Sequence, residues 1–111
     1  MKRFAFLASL LLAGCAQGIP DHVALLPEAE NVEFAYEPPG PDAYKEIGTV
    51  TGVAQGTDTD ATTEAAKNDL RNKAAALGAT VVTTDQNQGE AVPLTHQLKV
   101  TIVGRAYKPV D

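Results

Sequence analysis

Ala66-Lys67-Asn68-Asp69-Leu70-Arg71-Asn72-Lys73-Ala74-Ala75-Ala76-Leu77-Gly78-Ala79 is the stretch whose spacing settles the fold. Ala66, Leu70, Ala74 and Leu77 recur at the three- and four-residue intervals that put side chains on one helical face, and that stripe is expected to lie against a sheet. Lys67, Arg71 and Lys73 then point to solvent, towards the end of the helix dipole that favours positive charge. Asp58 or Asp60 is placed to cap the start, and Glu64 brings negative charge into the early turns. Gly78 permits the left-handed residue that closes a helix after Leu77. Ala75 and Ala76 have high helix propensity and little bulk, which allows close approach to a neighbouring element.

The flanking sequence changes from helical to two-residue periodicity on both sides. Before the helix, Tyr44 to Gln55 reads as a strand with Ile47, Thr49, Thr51 and Val53 on one face and Gly48, Val50, Gly52 and Ala54 on the other. The glycines leave that second face thinly covered, which suits close helix packing or a bulge. Further upstream, Val32, Phe34 and Tyr36 alternate with Glu33, Ala35 and Glu37 as a short strand, separated from the next by Pro38-Pro39-Gly40-Pro41. After the helix, Val81 and Val82 sit in a β-prone run from Ala79 to Thr84, and a polar loop containing Asn87, Gln88 and Gly89 follows. Leu98 to Tyr107 is the last long strand. Leu98, Val100, Ile102, Gly104 and Ala106 share its apolar face, opposite Lys99, Thr101, Val103, Arg105 and Tyr107.

The expected architecture is α+β, a β-β-α-β-β mixed sheet with one helix packed on one face. Strand two, helix and strand three should form a right-handed crossover with parallel strands, and the last strand should return antiparallel. The sheet's other face is left open, so the small core is expected to draw cover from the N-terminal segment or from a partner. Residues 31–111 form this domain.

The N-terminus carries a different signal. Lys2 and Arg3 precede an apolar run from Phe4 to Leu12 that is interrupted only by Ser9. The run is much shorter than the roughly 20 apolar residues a spanning helix needs, so it reads as a removable signal. Leu12-Ala13-Gly14-Cys15 follows directly. This resembles the lipobox of bacterial lipoproteins, which implies cleavage after residue 14 and acylation of Cys15. Residues 15–30 then form a lipid-anchored tether containing Gly18, Pro20 and Pro27, with Val23, Ala24, Leu25 and Leu26 as a short docking segment. Ala16 stands where an aspartate would resemble an inner-membrane retention signal, so the resemblance implies outer-membrane anchoring with the domain in the periplasm.

A second resemblance covers roughly residues 45–107. Ile47-Gly48-Thr49-Val50, the helix ending in Asn72, Ala74, Ala75, Leu77, Gly78 and Ala79, and Val81-Val82 are similar to a group of small, uncharacterised outer-membrane lipoproteins related in fold to the Rcs stress-sensor lipoprotein. The sensor signals through protein contacts and is braced by disulfides. Here Cys15 is the single cysteine, so no intramolecular disulfide can form and a disulfide-dependent mechanism does not carry over.

Composition narrows the function classes. Nine Lys and Arg stand against fourteen Asp and Glu, and loss of Lys2 and Arg3 with the signal makes the balance more acidic still. With no basic cluster, no nucleic-acid partner is expected. Repulsion from anionic head groups would hold the domain off the bilayer within the roughly 10 Å that salt permits. His22 and His96 belong to no local ligand spacing, and Asp58 with Asp60 is too sparse for a calcium loop, so neither metal nor cofactor is expected. Ser9, the lone serine, leaves with the signal, and neither a nucleophile elbow, a phosphate loop nor a dinucleotide fingerprint is present. The expected protein is no enzyme. It is a lipid-anchored module for an envelope protein partner, with Asn68, Asn72, Arg105 and Tyr107 as the interaction surface. The alternative is a module binding a small molecule or peptidoglycan fragment on an open sheet face near Gly48, Gly52, Val103 and Tyr107.

Overall fold

The computed structural model describes residues 19–20 and 22–110. Strands are β1 (Glu33–Ala35), β2 (Tyr44–Gly56), β3 (Val81–Thr83), β4 (Gln86–Ala91) and β5 (Leu98–Pro109), with the helix α1 (Thr59–Ala76) between β2 and β3. The sheet order is β1-β3-β5-β2, and β4 also pairs with β5. β5 lies antiparallel between β2 and β3, which makes those two parallel to each other, and β1 joins β3 in parallel. The α+β architecture with one helix on a mixed sheet is the expected one.

Helix ends follow local chemistry. Asp58 sits in extended backbone and its Oδ1 accepts from the Asp60 and Ala61 amides at 3.0 and 3.4 Å. Gly78 takes φ 89° just past Leu77, and the Ala79 amide closes the end by donating to the Ala74 carbonyl. Ala66, Leu70 and Ala74 are buried against the sheet, but Leu77 is 49% exposed, so the apolar stripe stops one turn short of its sequence extent. Val50, Ala54, Val82, Val100, Ile102 and Ala106 complete the opposing surface.

The glycines of β2 meet the helix directly. A Cβ at Gly52 would collide with the Ala66 carbonyl and stand 2.7 Å from the Leu70 amide nitrogen, so only glycine lets α1 settle this close. A register shift between Glu46 and Gly48 makes Ile47 a bulge at the start of the same strand.

The polar loop expected at Asn87, Gln88 and Gly89 is instead β4, a strand zipped along β5 from Gln86 opposite Val103 to Ala91 opposite Leu98. β3 and β4 run along the same edge of β5. Val82 opposes Ala106 while Gln86 opposes Val103, so one extra residue is accommodated between them. Gly104 makes room for this bend, because a Cβ there would strike the Thr83 carbonyl.

The segment read as a tether is bonded to the domain at intervals along its described length, though most of its residues are exposed. The Gln55 amide donates to the Pro20 carbonyl, Val23 packs against the core, and a short 3₁₀ turn at Pro27–Ala29 leads through buried Val32 into β1. Residues 22–32 therefore form a strap that passes from the β2 edge to the β1 edge over α1. Cys15 and the signal segment lie outside the described residues.

Candidate functional site

The helix residues expected to contact a partner hold this strap. Asn68 Nδ2 donates to the Val23 carbonyl at 2.9 Å. Asn72 does so twice over, its Nδ2 donating to Ala24 and its Oδ1 accepting from the Leu26 amide, each at 2.9 Å. A side-chain amide that both donates to and accepts from one extended segment substitutes for a neighbouring strand. Arg71, expected in solvent, donates to the Val32 and Glu30 carbonyls at 3.0 and 3.1 Å, and its guanidinium sits 5.5 Å from the Phe34 ring centre. Asn68 and Asn72, expected on a partner surface, thus bind the chain's own N-terminal segment while staying partly exposed. The relevant signal was the four-residue spacing of two amides opposite the Val23 to Leu26 run.

Lys73 and Asp69 do comparable work at the sheet edge. Asp69 Oδ2 accepts from the Val53 amide at 2.9 Å, Lys73 Nζ donates to the Thr51 carbonyl at 2.8 Å, and the two side chains pair at 3.0 Å. With Pro20 on Gln55, they occupy backbone groups of β2 that would otherwise be open to another chain.

On the sheet face away from the helix, Arg105 and Asp85 form a two-pronged pair, Nε to Oδ2 at 2.8 Å and Nη2 to Oδ1 at 3.3 Å. The Arg105 amide donates to Thr83 Oγ1 at 2.9 Å. The pair therefore clamps the bend between β3 and β4. Hydrogen bonds from Arg105 hold the Asp85 carboxyl below its ordinary value, against a lesser effect of burial and with help from Thr83. The Arg105 guanidinium is raised, chiefly by its hydrogen bonds to Asp85. A lowered folded-state value means the stabilisation is complete above the unfolded carboxylate value near 3.9 and is lost as pH falls through the folded one. Asp85→Asn is accordingly expected to flatten the loss of melting temperature between about pH 5 and pH 3. Both groups are well solvated, so the pH 7 change should be no more than a few degrees by circular dichroism.

Tyr107 is not a surface residue: it is 6% exposed, in register with buried Val81. The residues of the alternative site are also separated. Gly52 lies under α1, Gly48 stands beside the Leu77 side chain, and Val103 is on the opposite sheet face.

An accessible concave surface lies elsewhere. β1 ends at Ala35, opposite Thr83, and β4 continues beyond it with β5 as its single neighbour among the described residues. The step leaves a cleft of about 330 Å³ bounded by Phe34, Tyr36, Lys67, Thr84, Asn87 and Ile102. Phe34 is 40% and Tyr36 98% exposed. Alternation places both aromatics on a strand, but the cleft depends on β4, whose fully exposed residues carry no burial pattern to mark it. Among the described residues, no group of three or more His, Cys, Asp or Glu could hold a metal ion, and no helix is long and apolar enough to cross a membrane.

The fold and this edge cleft define a single-helix α+β domain closed by its own N-terminal strap. Residues 23–108 match the family described as a domain of unknown function, DUF4156, and the chain belongs to that family. Comparison with curated proteins finds no match.

Proposed function

We infer that this protein is a lipid-anchored interaction module of the bacterial envelope, acylated at Cys15, resident at the outer membrane and facing the periplasm. Its contact site is the cleft at the step from β1 to β4. The resemblance to lipoproteins related in fold to the Rcs stress sensor supports a role in stress sensing or envelope organisation.

The observation that carries the reading is the outer edge of β4, unpaired among the described residues, beside exposed Phe34 and Tyr36. An extended partner segment laid in line with β1 would pair its backbone with β4, and the aromatics would supply pockets for its side chains. By contrast, backbone groups on the edge of β2 are already taken by Asp69 and Lys73.

In-cell photo-crosslinking from position 36 is expected to give one reproducible protein adduct, absent when the same probe replaces Thr101 on the opposite sheet face. No adduct, or the same adducts from both positions, would sink the assignment. Fragment binding is a second reading that uses this same cleft, where Lys67 and Asn87 offer polar groups beside Phe34 and the volume suits a small ligand. Chemical-shift changes confined to Phe34, Lys67 and Asn87 on adding soluble cell-wall fragments would favour it.

A further inference from the structure

The β4–β5 hairpin turns through Val92-Pro93-Leu94-Thr95. The Thr95 amide donates to the Val92 carbonyl at 3.3 Å, and the Val92 amide donates to the Gln97 carbonyl at 3.0 Å. Proline at the second position of a four-residue turn, with positive φ at the third, is the type II pattern, and its third position calls for glycine or asparagine. Leu94 stands there instead, at φ 64° and fully exposed. It combines backbone strain with an apolar side chain in water, and at that exposure nothing in the domain offsets either.

Charge and chain path single out the same end of the molecule. Ala91 to Leu98 contains no Asp, Glu, Lys or Arg, in a chain whose net charge is −5. The strap starts here as well. Pro20 is bonded to Gln55, Gln55 Nε2 donates to Gln97 Oε1 at 2.7 Å, and Ile19 shares a shallow hollow with Val92 and Pro93. Four residue steps separate Cys15 from Ile19, a reach of at most about 14 Å.

We propose that the β4–β5 tip, with Leu94 at its point, inserts into the bilayer surface beside the acyl anchor, and that the domain stands on this tip with the Tyr44 and Pro109 end of the sheet furthest from the lipid. The proposal rests on the acylation of Cys15 inferred above. One leucine shifts partitioning by roughly 10- to 100-fold, too little to recruit a free protein. It suffices for one already held at the surface at high effective concentration. Repulsion keeps the acidic body away while the uncharged tip makes contact.

The chain has no tryptophan, so one introduced residue reports cleanly. Mature protein acylated at Cys15 and carrying Leu94→Trp, reconstituted in phosphatidylethanolamine–phosphatidylglycerol vesicles, is expected to show blue-shifted emission quenched at least twofold by lipids brominated on the acyl chain. Tyr36→Trp, just past the Ala35–Thr83 pair and set back along the sheet from the tip, should emit as in water and stay unquenched. Mass spectrometry and flotation of the same samples separate the two ideas. Unmodified Cys15 overturns both, whereas an acylated, vesicle-bound protein with unquenched Trp emission from position 94, or equal quenching from position 36, overturns the tip alone. Leu94→Gly should be at least as stable as the parent, because glycine fits this turn without strain. A fall of more than a few degrees in its melting temperature would mean that the domain itself holds the leucine, and would also overturn the proposal.

Discussion

Gly52→Val is expected to destabilise the domain by about 3 kcal/mol or more, at the upper end of what overpacking costs. The added Cβ meets backbone, the Ala66 carbonyl and the Leu70 amide, which no rotamer change can move aside. Asp58 and Gly78 hold the two helix ends, so α1 has to shift as a body. Such a shift strips contacts from fully buried Leu70, Ala66 and Ala74 together. A domain of this size has only about 5–10 kcal/mol to lose, so the melting temperature should fall by at least about 12 °C, if the variant folds at all. Gly52→Ala should show the same sign at smaller size. Gly40→Ala, with nothing within 4 Å of its new methyl, should stay within about 0.5 kcal/mol of the parent. Urea denaturation of all three measures this, and an unchanged midpoint for Gly52→Val would mean that α1 does not rest on β2.

The same contact explains what could be read from residues alone. Gly52 in a strand opposite an Ala66/Leu70/Ala74 stripe is a local statement of close packing, and period two along β5 assigned its faces correctly because one face is core. β4 has no such imprint. Gln86-Asn87-Gln88-Gly89-Glu90-Ala91 is exposed at every residue, so no burial alternation marks it, and its strand state comes from pairing with β5. Asn68 and Asn72 misled for a related reason. Polar residues on a helix face look solvated unless the segment that covers them is known, and that segment lies 45 to 48 residues away in sequence. Tyr107 was assigned to the correct face, but alternation says nothing about cover. Phe34 and Tyr36 had the matching gap: their exposure depends on where β1 stops relative to β3, a tertiary fact.

Cys15→Ala is expected to abolish incorporation of labelled acyl chains altogether, since no second thiol exists in the chain. Each buried methylene contributes about 0.8 kcal/mol, and two or more chains hold where one is marginal, so the proposed anchor would outweigh anything the protein surface supplies. Residues 16–111, exported behind an ordinary cleavable signal, should therefore be recovered in the soluble periplasmic fraction. Their melting temperature should match that of the acylated protein in detergent to within about 2 °C, because residues 20 and 22–32 carry the strap contacts and are retained. A chain starting at residue 33 tests the other half of the argument. It loses Val32 from the core and the strap partners of Asn68 and Asn72, and leaves Arg71 without its two carbonyls. Loss of a buried valine plus unpaired amides should cost about 3 kcal/mol or more, enough to lower the melting temperature by at least about 12 °C. On this proposal anchoring and folding separate at a few residues of sequence: upstream of Ile19 the chain would serve the membrane, whereas Pro20 and residues 22–32 are bonded to the domain. Equal stability of the two truncations would refute that division, and labelled acyl chains on the Cys15→Ala protein would refute the anchor.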